Sequence, residues 1–284
     1  MIEISKDVQN SVAQSYDNND FVELPFNAPL FWWKRGGDMT GDDVAKYGGW
    51  ICNQENLIKQ APYKDGEMIL PKRMDEVVFS SSYSGGTYST YCTRSMPVAP
   101  FAQRFRWTYR TTLDGEKDKT DKGRGHLQVL AIAAIVDDAK KYQYWSPVIL
   151  SAKGLSAKSL QDCLKAFDSA TMLLRGKELK GIPANFFWQH LGSFGTKVVK
   201  KTVGRGNQSN FITPIQVYMP ETVDMEFLEK VFVGNEIATT MGELAKMSAE
   251  WLDEWKSDKA EQVDDDLSDA PMDEHEENGY IPEF

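Results

Sequence analysis

The chain is poor in cysteine and histidine and has no long apolar run, and each shortage excludes a class of function. Its three cysteines, Cys52, Cys92 and Cys163, are odd in number and widely spaced. They make neither a disulfide framework nor a thiolate zinc motif and are expected to be reduced thiols. The three histidines, His126, His190 and His275, include no pair at metal-ligand spacing. No stretch of about 18 apolar residues exists, so no membrane helix is expected. The opening Met1-Ile2-Glu3-Ile4-Ser5-Lys6-Asp7 lacks the basic-then-apolar order of a secretory signal, and a cytoplasmic location is expected.

Catalytic signatures are also missing. There is no Gly-x-Ser-x-Gly, no phosphate-cradling P-loop and no His-Glu-x-x-His. Gly204-x-Gly206 falls between two predicted strands rather than ahead of a helix, which argues against a dinucleotide site. The reading is therefore of a protein that binds without catalysing and needs no cofactor or metal. Two alternatives stand beside it. Asp137 and Asp138, adjacent carboxylates at a strand end, could hold magnesium for nuclease chemistry, although neighbouring aspartates usually point apart. Eight tryptophans could instead stack on sugar rings in a carbohydrate-binding module.

What is present is charge, and it is segregated. From Ser257 to Phe284 there are eleven acidic residues and one base, Lys259. Subtracting these from the chain's 42 acidic and 32 basic residues leaves 31 of each, so the body is neutral and the tail carries the whole net charge of −10. Between Ala139 and Thr213 twelve Lys and Arg face three acids. A charge run with so few aliphatic side chains cannot bury enough surface to offset chain entropy, so residues 257–284 are expected to be a disordered tail. Residues 1–20, polar and rich in Asn, Gln, Ser and Asp, are expected to be a flexible N-terminus. Residues 21–256 are expected to form one folded domain, a sizeable core for this length.

Within the domain, Phe31-Trp32-Trp33-Lys34-Arg35-Gly36-Gly37 sets three rings before two cations and two glycines. That order suits bases and phosphates, and equally a core strand running into a turn. Residues 48–70 read as mixed and loop-rich. Ser80 to Tyr91 reads as a polar loop able to close on a ligand, or as a hairpin of surface tyrosines. From Gln103, Phe105, Trp107 and Tyr109 alternate with Arg104, Arg106 and Arg110, a two-faced strand whose rings are expected in the core and whose arginines are expected to face a phosphate chain, with arginines in bulk solvent and no ligand as the alternative. His126 to Val136 reads as a buried strand and Tyr142 to Leu150 as a third, with Pro147 at an edge or bulge.

Ser156 is expected to cap a helix whose Leu160, Cys163, Leu164 and Phe167 share one face. A connector with the ring cluster Asn185 to His190 follows, then strands at Phe194–Val203 and Phe211–Met219. Beyond Pro220, Phe227, Leu228, Val231 and Phe232 mark a short helix. Thr240 and Glu243 form a capping box for another, whose stripe Leu244, Met247, Trp251 and Trp255 is expected to pack on the domain, with self-association into a homo-oligomer as its alternative. Three strands, a helix and two strands is the order of an OB-fold, so the predicted class is α+β, mainly β, with an OB-fold-like five-stranded barrel, an N-terminal elaboration and C-terminal helices.

The chain ends Tyr280-Ile281-Pro282-Glu283-Phe284. An aromatic beside a terminal carboxylate suits a pocket rimmed by basic groups. Acids followed by Ile-Pro and a terminal Phe resemble the acidic tip of bacterial and phage single-stranded DNA-binding proteins. The usual ending there is Asp-Asp-Asp-Ile-Pro-Phe; here Glu283 separates Pro282 from Phe284 and Tyr280 precedes Ile281. The likeness covers about a tenth of the chain. It implies sequence-tolerant coating of single-stranded DNA in replication, recombination or repair, and recruitment of partner proteins through Tyr280, Ile281, Pro282 and Phe284. On that reading Arg104, Arg106 and Arg110, with Lys197, Lys200 and Lys201 as a second row, hold phosphates. Lys34 and Arg35 assist, and Trp32, Trp33, Tyr144 and Trp188 stack on bases.

Overall fold

A computed structural model describes residues 23–34, 48–52, 75–80, 87–109, 123–136, 142–194, 199–202 and 209–260. Strands β1 (Leu30–Lys34), β2 (Gly49–Cys52), β3 (Asp75–Ser80) and β4 (Thr87–Thr93) precede three long strands, β5 (Ser95–Thr108), β6 (Arg124–Val136) and β7 (Tyr142–Lys153). Helix α1 (Leu155–Glu178) follows, then β8 (Gln189–Gly192), β9 (Val199–Thr202), β10 (Ser209–Ile212) and β11 (Gln216–Val217). Helices α2 (Met225–Val231), α3 (Asn235–Met247) and α4 (Ala249–Ala260) complete the described chain. The class is α+β, and no described helix is long and apolar enough to cross a membrane.

Nine strands form one sheet in the order β11-β8-β5-β6-β7-β1-β2-β4-β3, while β9 and β10 pair separately. Of the expected order, three strands and a helix appear as β5, β6, β7 and α1, while β8 arises within the expected connector. The described ladders do not build a five-stranded barrel from it, because β1 pairs parallel with β7 and carries β2, β4 and β3 outward as half of the sheet. Of the two readings of residues 80–91, the hairpin is the one found, with β3 paired antiparallel to β4. Of the two late strands, the first contains β9 among its described residues, and the second is divided between β10 and β11.

The core has two parts, set by strand alternation. On one sheet face, Val98, Leu127, Val129, Ala131 and Leu150 meet Ala157, Leu160 and Cys163 of α1, as its apolar spacing requires. The helix starts at Leu155 after Gly154, whose φ of 59° suits glycine, so Ser156 is not its cap. The Cys163 thiol donates to the Ile215 carbonyl oxygen at 3.0 Å, and burial with nearby Asp162 pushes it up to about 12, so it stays an unreactive thiol.

The second cluster joins Ala99, Ile132 and Ala134 to Phe167, Trp188, Leu228 and Met241. Asp224 caps α2 by accepting from the Phe227 backbone N–H at 2.8 Å. Thr240 is no cap: it lies inside α3 and its hydroxyl donates back to the Glu236 carbonyl oxygen. The expected stripe also breaks at Ser248, leaving Met247 exposed, whereas Trp251 and Trp255 are buried against the sheet. Helix α4 runs through Ala260, so the first four residues of the expected disordered tail are helical.

Candidate nucleic-acid interface

The face of β5, β6 and β7 that carries the second core cluster turns polar toward one end. Register places Arg104 opposite Gln128, Gln128 opposite Ser151 and Ser151 opposite Trp32. Two residues further along, Arg106 lies opposite His126 and His126 opposite Lys153. Residues two apart on a strand share a face, so these two rows form one layer across four strands. Lys34, two residues beyond Trp32, shares that face by the same alternation.

Helix α4 covers the layer with two rings placed four residues apart. The Arg104 guanidinium lies 3.5 Å from the Trp251 ring centroid and 4.2 Å from that of Trp255, and the Arg106 guanidinium lies 4.4 Å from Trp255. Arg104 also donates to Gln128 Oε1 at 2.9 Å, to the Trp251 carbonyl oxygen at 2.7 Å and to Glu254 Oε2 at 2.5 Å. His126 packs 4.9 Å from Trp255 and stacks on Trp32 at 5.9 Å, with Ser151 Oγ 2.8 Å from its Nε2. Lys153 Nζ stands 5.2 Å from the Trp32 ring. Arg104 and His126 lie beneath the helix, while Trp32 is half-buried and Lys153 exposed at the open rim.

The seated helix leaves two polar atoms of this layer unsatisfied. Arg104, Arg106 and Lys153 bring positive charge to it, and the Glu254 carboxylate of α4 pairs with Arg104. His126 Nδ1 and Trp255 Nε1 are buried without a hydrogen-bond partner; an orphaned buried polar group costs about 1–3 kcal/mol. Desolvation, then the charges of Lys153, Arg106 and Arg104, hold the His126 imidazole down to about 3, so it is neutral here. Desolvation also lowers Arg104 to about 10, which leaves it charged at neutral pH, and desolvation and then Arg106 shift Lys153 downward.

Several expected roles need correction. Arg104 is only 9% exposed and is held by α4, so it does not face an open phosphate groove, and the aromatic face of β5 is not all core, since Trp107 is 48% exposed. Trp188 is 2% exposed within the second cluster and offers no stacking surface. Trp33 turns to the core face, edge-on to buried Trp50 at 5.0 Å, with its indole N–H donating to the Thr213 carbonyl oxygen at 2.9 Å. Lys200 and Lys201 are consecutive on β9, opposite Phe211 and Asn210 of β10. Tyr144 is placed by its ladder position opposite Ile135 alone. Arg35, Arg110, Lys197, Asp137, Asp138, residues 1–20 and the tip Tyr280, Ile281, Pro282 and Phe284 lie outside the described residues.

Of the expected stacking rings, the layer thus takes Trp32, and it adds Lys153, His126, Gln128, Trp251, Trp255 and Glu254, which sequence reasoning passed over. Trp251 and Trp255 were legible as a packed stripe. That they pack on arginines rather than on aliphatic residues depends on a contact spanning 147 residues, for which no local signal exists. Comparison of the chain with family models, with curated proteins and with solved structures gave no match.

Proposed function

We propose that this protein binds single-stranded DNA with little sequence preference, on the layer of Arg104, Arg106, Lys153 and Trp32, and that α4 occupies part of that site until a strand displaces it. The observation that carries the reading is the unbroken contact chain Lys153–Trp32–His126–Trp255–Arg104–Trp251, in which rings alternate with cationic or titratable groups. Single strands need both partners: cations to neutralise phosphates and flat rings for unstacked bases. A neutral sugar would gain nothing from the cations.

Helix α4 presents the layer with stand-ins for such a strand. The Trp251 and Trp255 rings lie against guanidinium groups as bases would, and the Glu254 carboxylate takes Arg104 as a phosphate would. Two orphaned polar atoms, His126 Nδ1 and Trp255 Nε1, make the seated helix exchangeable for a ligand that satisfies them better. The helix leads directly into the acidic tail, whose charge competes for the same surface, and whose released tip recruits replication or recombination proteins in the cytoplasm. In this reading β5, β6, β7 and α1 correspond to the body of an OB-like barrel, widened by β1 to β4. The test is a titration of the whole chain with fluorescent oligo-dT, duplex DNA and RNA: tight, salt-sensitive binding of oligo-dT with much weaker duplex binding is expected, and equal capture of an immobilised polysaccharide at low and high salt would refute it.

A further inference from the structure

The outer face of α1 presents a large apolar side chain to solvent. Leu173 is 72% exposed, more than any other large apolar residue described. Around it Asp162, Ala166, Ser169, Ala170 and Lys177 are exposed at steps of three or four residues, which sets them on one face of the helix. The inner side is taken up by the core, where Ala157, Leu160, Cys163 and Phe167 are buried. We propose that the outer face pairs two copies of the chain, antiparallel about a two-fold axis that passes between Ser169 and Ala170.

The charge pattern of the face identifies its occupant. Asp162 and Lys177 are equidistant from that axis, about 11 Å along the helix at a rise of 1.5 Å per residue. An antiparallel copy therefore brings Asp162 opposite Lys177 of the second copy, and does so twice. The same register sets Ala166 opposite Leu173 of the second copy, so a small side chain leaves room for the large one. A parallel copy would set Asp162 against Asp162 and Lys177 against Lys177. A two-fold interface has to complement itself, and this face does.

Other readings of the face fit less well. The helix dipole does not account for the acid, because Asp162 lies beyond the first turn, which holds no acidic residue. A polyanion, whether nucleic acid or the acidic tail, has no preference for it. The exposed charges of α1 balance, with Lys158, Lys165 and Lys177 against Asp162, Asp168 and Glu178. Leu127 and Val129, which meet α1, alternate along β6 with His126 and Gln128 of the Arg104 layer, so α1 lies on the other side of the sheet. Pairing through α1 thus leaves the Arg104 layer of each copy outside the contact, and it stands independently of the binding function.

A contact of one helix pair is at the small end of protein interfaces, so the association should depend on concentration. The test is sedimentation velocity of the full chain from about 1 to 300 μM, where a shift from monomer to dimer is expected. Leu173→Glu is expected to stay monomeric throughout. Asp162→Lys and Lys177→Asp each oppose like charges at both flanks and are expected to weaken association about tenfold or more, at unchanged Tm. An equimolar mixture of these two variants restores both opposite-charge contacts and is expected to associate like the wild type, which a misfolded variant could not do. A wild type that stays monomeric, a Leu173→Glu chain that still dimerises, or a mixture no stronger than its components would overturn the pairing.

Discussion

The Arg104 guanidinium lies 3.5 Å from the centre of the Trp251 indole while donating to that residue's own carbonyl oxygen at 2.7 Å, so one side chain of β5 fastens both the ring and the backbone of α4. The same group carries the ion pair to Glu254. Removing one member of a buried pair leaves the other unmatched and costs about 3–5 kcal/mol. Arg104→Ala is therefore expected to lower Tm and to open protease cleavage sites within residues 249–260. Glu254→Gln keeps an acceptor for Arg104 and should cost less. An Arg104→Ala chain with wild-type Tm and an uncleaved α4 would show that this fastening is idle.

The seating of α4 should depend on pH through His126. Its value when buried is about 3, against an ordinary 6.5, so between those limits a released state takes up a proton that the seated state refuses. The seated helix is fully favoured above the released-state value, which the three cations of the sheet still hold below the ordinary 6.5, and it loses stability as the pH falls through that range. Lys153, Arg106 and Arg104 all oppose protonation, and Glu254, engaged by Arg104, is the carboxylate set against them. Tryptophan fluorescence followed from pH 8 to 5 is expected to report growing exposure of Trp251 and Trp255, and His126→Gln should flatten the response. A wild-type profile as flat as the variant's would contradict the assignment.

Two tryptophans should separate stability from binding. Trp188 is buried and its backbone N–H donates to the Val231 carbonyl oxygen, so Trp188→Ala should cost about 3–5 kcal/mol of stability. Trp32 sits half-buried at the open rim beside Lys153. Trp32→Ala should weaken single-strand binding by about 1–3 kcal/mol with little change in Tm. Thermal melts and oligo-dT titrations of the two variants decide between these outcomes.

Long elements were legible in the sequence because their patterns repeat often enough to be read. The apolar run of β6, the spacing of Leu160, Cys163 and Phe167 along α1, and the Trp251–Trp255 stripe all reappear where expected. Alternation along β5 correctly separated two faces but could not say which one a distant helix would cover, and so Arg104 and Trp107 exchanged their expected environments. The strands β2, β8 and β11 hold four, four and two residues, too few to show a period of two. The parallel pairing of β1 with β7 joins segments more than a hundred residues apart and leaves no local trace. Tryptophans in a basic region looked like stacking rings. Trp188 was instead needed in the second core cluster.

Truncations distinguish the acidic tail from the helix that bears it. Ending the chain after Lys256 keeps Trp251, Glu254 and Trp255 but removes the whole net charge of −10, and should tighten binding at low salt with a gain that shrinks as salt rises. Ending it after Ser248 also removes the two rings from the layer, and a further gain that persists at higher salt is expected. Deleting Phe284 alone should leave DNA affinity intact and abolish capture of a replication or recombination protein. Equal affinities for all three shortened chains and the full chain would mean that neither segment competes for the site.

The most direct test is the affinity of the full chain for oligo-dT measured across salt concentration at neutral pH. A surface that neutralises about four to six phosphates predicts a log-log slope of roughly −3 to −4, with duplex DNA bound far more weakly. A flat salt response, or duplex bound as tightly as the single strand, would contradict the account.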